Sequence, residues 1–233
     1  MRRPGVRASR RAPRRSQWAV AVGALGELLL TAGVVVVLFV VYMLWGTGLQ
    51  TAQAQDDLHR ELEQRWSSLD VDESLDPDAI ADGEAYGILR IPRFGDDGEK
   101  IIVQGVEPEH LADGPGHYPD TADPGEVGNV GLAAHRAGHG EPFAQFPELH
   151  AGDRIEIEMA DGVYVYELDD APDGDDDGNK IDISDTWVVD PVPGEPSGTR
   201  PSERRITLTT CWPRWGASHR MYATGVLVSA PGS

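Results

Sequence analysis

The chain of 233 residues has a single cysteine, Cys211. An intramolecular disulfide is therefore excluded, and a lone thiol outside the membrane points to reactivity rather than cross-linking. Basic side chains are also scarce, 20 against 39 acids, for a net charge of −19. Seven of those bases are arginines within residues 1–15, where there is no acid, so the remainder stands near −26. Such a surface repels nucleic acid and anionic lipid at long range, and no nucleic-acid partner is expected. Long apolar runs are confined to one stretch, Trp18 to Trp45, interrupted by a single charge, Glu27. No internal repeat is visible.

That apolar stretch sets the compartment. Its cleanest part, Leu28–Leu44, would span about 25 Å as a helix, and with the residues before it can cross a bilayer. Trp18 suits one interface, Tyr42 and Trp45 the other. The arginine cluster predicts a cytoplasmic N-terminus and everything downstream outside the cell. A cleaved signal peptide is the rival reading, because Ala52-Gln53-Ala54 resembles a cleavage site, but the apolar stretch exceeds a usual signal core. The predicted divisions are a basic cytoplasmic tail (1–17), a transmembrane helix (18–45), an extracellular stalk (46–82) and an outer domain (83–233). Within the stalk, Leu58, Leu62, Trp66 and Leu69 recur at helical spacing and predict a short amphipathic helix over 56–69. The acidic residues 70–83 suit a flexible spacer.

Beyond Gly83 the pattern changes to short apolar runs separated by Gly, Pro and Asp. Eight strands are predicted, at 85–91, 100–104, 127–134, 153–159, 163–168, 186–190, 205–211 and 220–228. Asp161-Gly162 marks a hairpin turn. Short helices are expected at 107–112 and 141–149. Eight strands with little helix predict an all-β domain, a closed or nearly closed eight-stranded barrel. The acidic run 169–185 stands apart. Asp173, Asp175, Asp177 and Asn179 place oxygen ligands at alternate positions with Gly178 sixth, matching the first half of a calcium loop. The twelfth position is Ser184, which supplies no bidentate carboxylate, so a flexible acidic extension is the competing expectation.

Cys211 ends a strand and needs a base to take its proton. His135 ends another predicted strand and is weakly favoured, with His219 in the loop after Cys211 as an alternative. Arg220 follows as a fixed guanidinium able to face developing negative charge, or as a salt-bridged rim residue. Zinc on His135 and His139 is disfavoured, because Gly138 and Gly140 oppose the helix that would align them.

Thr207-Leu-Thr-Thr-Cys211 with Arg220, and upstream Ala134-His135-Arg136, resembles the signature of the sortase family. Ile88-Leu-Arg-Ile-Pro92, Gly114-Pro-Gly-His-Tyr-Pro119, Gly125-Glu-Val-Gly-Asn129, Pro142-Phe143, Gly152-Asp153-Arg-Ile155 and Val188-Val-Asp-Pro191 extend the likeness over residues 84–229. The Cys211-to-Arg220 step, Pro213 and the Gly-His-Tyr-Pro stretch look most like class E sortases of high-GC Gram-positive bacteria. The resemblance implies a sortase barrel and a cysteine transpeptidase. Cys211 would attack the Thr–Gly bond of a C-terminal sorting signal of LAxTG or LPxTG type, His135 would exchange protons, and Arg220 would hold substrate backbone or oxyanion. Thr207, Thr210 and Tyr118 would contact substrate. The implied partners are secreted proteins bearing that signal and an amine of a peptidoglycan precursor; no cofactor is implied beyond the open calcium question. Ala134 departs from the family's usual glycine, and its methyl is expected to narrow the groove floor. A Cys–His hydrolase, and a membrane-tethered binding barrel with an inert thiol, are the alternative functions.

Overall fold

The computed structural model describes residues 17–42, 46–68, 79–196 and 198–232. Two compact units emerge, Met1–Met43 and Leu44–Ser233. In the first, helix α1 (Gln17–Val41) carries apolar side chains around its circumference, with Glu27 its one charge. Its segment Val20–Val41 has a mean hydropathy of 2.5 and exposes its aliphatic side chains. A helix without a polar face is what a bilayer, rather than water, accommodates.

The second unit is built on nine strands: β1 (Ala85–Arg90), β2 (Glu99–Gln104), β3 (Gly116–His117), β4 (Gly128–Ala133), β5 (Arg154–Met159), β6 (Gly162–Asp170), β7 (Lys180–Asp182), β8 (Arg204–Trp212) and β9 (His219–Ser229). Eight of them close a ring in the order β6-β5-β1-β2-β3-β4-β8-β9, with β9 pairing back onto β6. Strand β7 extends the same edge of β9: β6 takes Thr224–Ser229 and β7 takes His219–Met221. The expected eight-stranded barrel is therefore present, but with a different membership. β3 and β7 are too short to carry a periodic signal. The predicted strand at 186–190 is instead a 3-10 turn, Trp187–Val189. Its Val188 and Asp190 carbonyls both accept from Asn129 Nδ2, at 3.0 Å each, and this bends the segment across the barrel wall. The expected helix at 107–112 exists as α3 (Pro108–Leu111), whereas 141–149 holds only the 3-10 turn Phe146–Glu148.

Alternation along the strands separates two faces. Ile206 and Leu208 of β8, Val130 and Leu132 of β4, and Met221 and Ala223 of β9 join the interior cluster with Tyr86, Phe143, Ile155 and Tyr166. Outside the barrel, helix α2 (Thr47–Ser67) lays Leu58 and Leu62 against Ala85, Ile88, Ile101 and Val103 of β1 and β2. The amphipathic helix predicted over 56–69 thus begins nine residues earlier and is docked on the barrel. Its first half is fixed by polar contacts rather than apolar period. Gln55 Nε2 donates to the Ile101 carbonyl (3.0 Å) and the Asp113 carbonyl (2.8 Å), while its Oε1 accepts from Ile101 N–H (2.7 Å). Residues 70–78, the greater part of the acidic spacer, lie outside the described residues.

Candidate active site

Strands β4 and β8 run parallel in the register Ala133↔Thr209, and β8 pairs antiparallel with β9 in the register Cys211↔Arg220. Because Ile206, Leu208, Met221 and Ala223 point inward, Thr207, Thr209 and Cys211, with Arg220 and Tyr222, occupy the opposite, outer face. Past the end of β4, Ala134 N–H still donates to the Thr209 carbonyl (3.1 Å), and Thr210 Oγ1 donates to the Ala134 carbonyl (2.8 Å). His135 therefore leaves β4 level with Cys211. The backbone thus brings Cys211, His135 and Arg220 to neighbouring strand ends.

The side chains around them are specific. Arg220 Nη1 donates to Tyr118 Oη at 2.7 Å, and Tyr118 Oη lies 3.3 Å from Thr209 Oγ1. Tyr118 is held beneath by Gly131, where a Cβ would fall 2.9 Å from the tyrosine ring. His135 stacks on His139 at 4.8 Å. Burial, and then the neighbouring His139, push the His135 pKa below its ordinary value, so the imidazole is neutral near pH 7. Cys211 is half-buried. His219, the alternative base, lies opposite Trp212, and its Nδ1 sits 2.9 Å from Ser218 Oγ.

The remaining expected residues separate. Thr207 is fully buried and donates to Asn129 Oδ1 at 2.9 Å. Thr210 is on the interior face and braces the carbonyl before His135, away from the outer groove. Thr209, which the sequence reading passed over, is the threonine that meets Tyr118. The methyl of Ala134 packs in the interior cluster, so it does not narrow the groove floor as expected. The four calcium candidates diverge. Asp173 lies 2.7 Å from His150 Nδ1, Asp175 Oδ1 accepts from Asp177 N–H (2.9 Å), Asp177 pairs with Lys180, and Asn179 Nδ2 donates to Asp170 (3.0 Å). Among the described residues, no group of three or more His, Cys, Asp or Glu side chains is arranged to hold a metal.

The family model for the sortase domain matches residues 89–228. The chain is 35% identical to sortase SrtE2 of Streptomyces coelicolor over 90% of its own length and 83% of that protein's. It is 33% identical to sortase SrtE1 of the same organism over 96% of its own length, and spans 62% of the length of that relative. Among solved structures, sortase E of Streptomyces avermitilis is 35% identical with a TM-score of 0.54, over 64% of this chain and 91% of that one. Sortase E1 of Streptomyces coelicolor with a tripeptide in its active site is 33% identical with a TM-score of 0.54, over 65% of this chain and 92% of that one.

Proposed function

The chain belongs to the sortase family, and we propose that it is a cysteine transpeptidase tethered to the cell membrane by α1. The observation that carries this reading is the register placing Cys211 opposite Arg220 while His135 leaves β4 at the same level. Cys211 Sγ attacks the threonine carbonyl carbon of a sorting signal of LAxTG or LPxTG type, and His135, neutral at pH 7, takes the thiol proton. The oxyanion that forms, or the backbone carbonyl beside it, lies against Arg220, whose guanidinium is aimed by Tyr118. As the C–N bond breaks, His135 returns the proton to the departing glycine amine, leaving a thioester on Cys211. An incoming amine then attacks that thioester, loses a proton to His135 and displaces the thiolate, which is reprotonated. The net change is one amide exchanged for another, with no redox step.

The amine is that of a peptidoglycan precursor, and the donors are secreted proteins carrying the signal at their C-terminus. With the arginine-rich tail in the cytoplasm, the barrel faces the exterior. There, enzyme, tail-anchored donor and lipid-linked acceptor share one plane, and their effective concentrations rise. The test is incubation with an LAxTG peptide, with and without a glycine peptide as amine. The expected result is cleavage between Thr and Gly with the product moving from acid to amide as the amine is added. Cleavage that yields only acid at every amine concentration would instead support a Cys–His hydrolase. Unchanged peptide in the presence of a readily alkylated Cys211 would count against both.

A further inference from the structure

The acidic segment between β6 and β7 has no part in the reaction as described, yet Asp176 within it is held behind the site. Asp176 Oδ1 accepts from Arg136 Nη2 at 2.7 Å, and the Asp176 carbonyl accepts from Trp212 Nε1 at 2.7 Å. Arg136 Nη1 lies 3.4 Å from Met221 Sδ, and Lys180 Nζ sits 3.9 Å from the centroid of the Trp212 ring. Arg136, Trp212 and Met221 are the residues that directly follow His135, Cys211 and Arg220. Alternation turns each away from the outer face, so one node behind the site joins the three strand ends.

The pairing is unusual in its burial. Arg136 is only 5% exposed, whereas the Asp176 side chain is 87% exposed. A buried guanidinium requires a counter-charge, and here an outlying loop provides it. Among the described residues Arg136 Nε has no hydrogen-bond partner, so the contact with Asp176 carries much of that burden. The loop itself is fastened at its base, where Asp173 and Gly174 N–H donate to the Leu149 and Pro147 carbonyls at 2.8 and 2.7 Å. A cavity of about 470 Å³, lined by Arg136, Pro147, Asp176, Trp212 and Pro213 among others, runs alongside the node.

We propose that Asp176 is a positioning residue that, through Arg136 and Trp212, fixes His135 and Cys211 relative to one another. The proposal rests on the transpeptidase reading above, but its test does not depend on that reading alone. The full chain in detergent is compared as parent, D176A, D176E and D185N, the last removing a like charge from the same acidic run, just beyond β7. A misplacement of about 1 Å costs on the order of 100-fold in rate, so D176A is expected to lower kcat for LAxTG cleavage by ~10-fold or more. KM stays within about twofold, since the groove is on the other face. D176E recovers part of the loss, and D185N matches the parent. The rate of Cys211 alkylation by iodoacetamide falls in D176A but not in D185N. A parent-like kcat and alkylation rate in D176A would overturn the proposal, as would equal losses in D176A and D185N. If even the parent cleaves no peptide, the transpeptidase reading fails. The alkylation ratio then decides separately: a lowered rate in D176A supports the node, and an unchanged one overturns it.

Discussion

Replacing His117 with glutamine should flatten the pH dependence of stability between about pH 4 and pH 6.5. His117 is 1% exposed, stacked on Tyr86 at 4.4 Å, with Nδ1 2.9 Å from Gln104 Oε1 and Nε2 3.2 Å from both the Ala122 carbonyl and Thr121 Oγ1. Burial lowers its pKa from 6.5 to about 4, only partly countered by the Ala122 carbonyl. As pH falls through 6.5 the unfolded chain takes up a proton that the folded ring refuses until about 4. The contribution is therefore complete above about pH 7 and lost progressively down to about pH 4. At about 1.4 kcal/mol per pKa unit, the gap corresponds to about 3 kcal/mol. Asp153, whose burial is outweighed by its bonds to Arg93, is held below the ordinary aspartate value and so titrates below this window. Urea denaturation of parent and H117Q at half-unit pH steps separates the term, because His135 and the surface charge are common to both. The stability difference between the two should shift by about 3 kcal/mol across the window. Parallel curves from pH 4 to 7 would refute the reasoning. Function should follow, since Thr121 beside His117 also accepts from Gly131 N–H (3.0 Å) and supports the turn that carries Tyr118.

Y118F removes the acceptor for Arg220; a hydrogen bond to a charged group contributes about 1.5–3 kcal/mol, so kcat/KM should fall ~10- to 100-fold in peptide cleavage assays. T210V leaves the Ala134 carbonyl without its side-chain donor and should cost about 1–3 kcal/mol by denaturant titration, with lower kcat because His135 is the next residue. L62A, at a side chain 1% exposed, should cost about 2–5 kcal/mol and make α2 the first site of limited proteolysis; an unchanged cleavage pattern would mean that the helix does not depend on that contact.

Periodicity carried most of the barrel. The long strands β1, β2, β4, β5, β6, β8 and β9 lie within two residues of the expected bounds, because β5 alternates against the core while β1, β2, β4 and β8 are short, largely buried runs bounded by turn residues. What escaped was set by distant partners. Trp187-Val188-Val189 has strand composition, but Asn129 captures its carbonyls and turns it. The first half of α2 is read poorly because Gln55, and Thr51 whose Oγ1 donates to the Ala112 carbonyl (2.7 Å), rather than apolar side chains, hold it. At the site, strand ends singled out Cys211 and only weakly His135 over His219, and it was the likeness to the sortase signature that joined Arg220 to them as a set. The choice of Thr209 over Thr210 beside Tyr118 depended on which face of β8 is interior. The acidic run 173–179 read as half a calcium loop because oxygen spacing is visible in sequence, whereas Arg136 reaching across to Asp176 is not.

The most direct measurement is intact-mass spectrometry of the protein quenched in acid during turnover of an LAxTG peptide. The parent should carry one acyl group ending in threonine, mapped to Cys211 and discharged by added amine, and C211A should carry none and cleave nothing. Turnover without an adduct at Cys211, or cleavage that survives in C211A, would contradict the covalent mechanism.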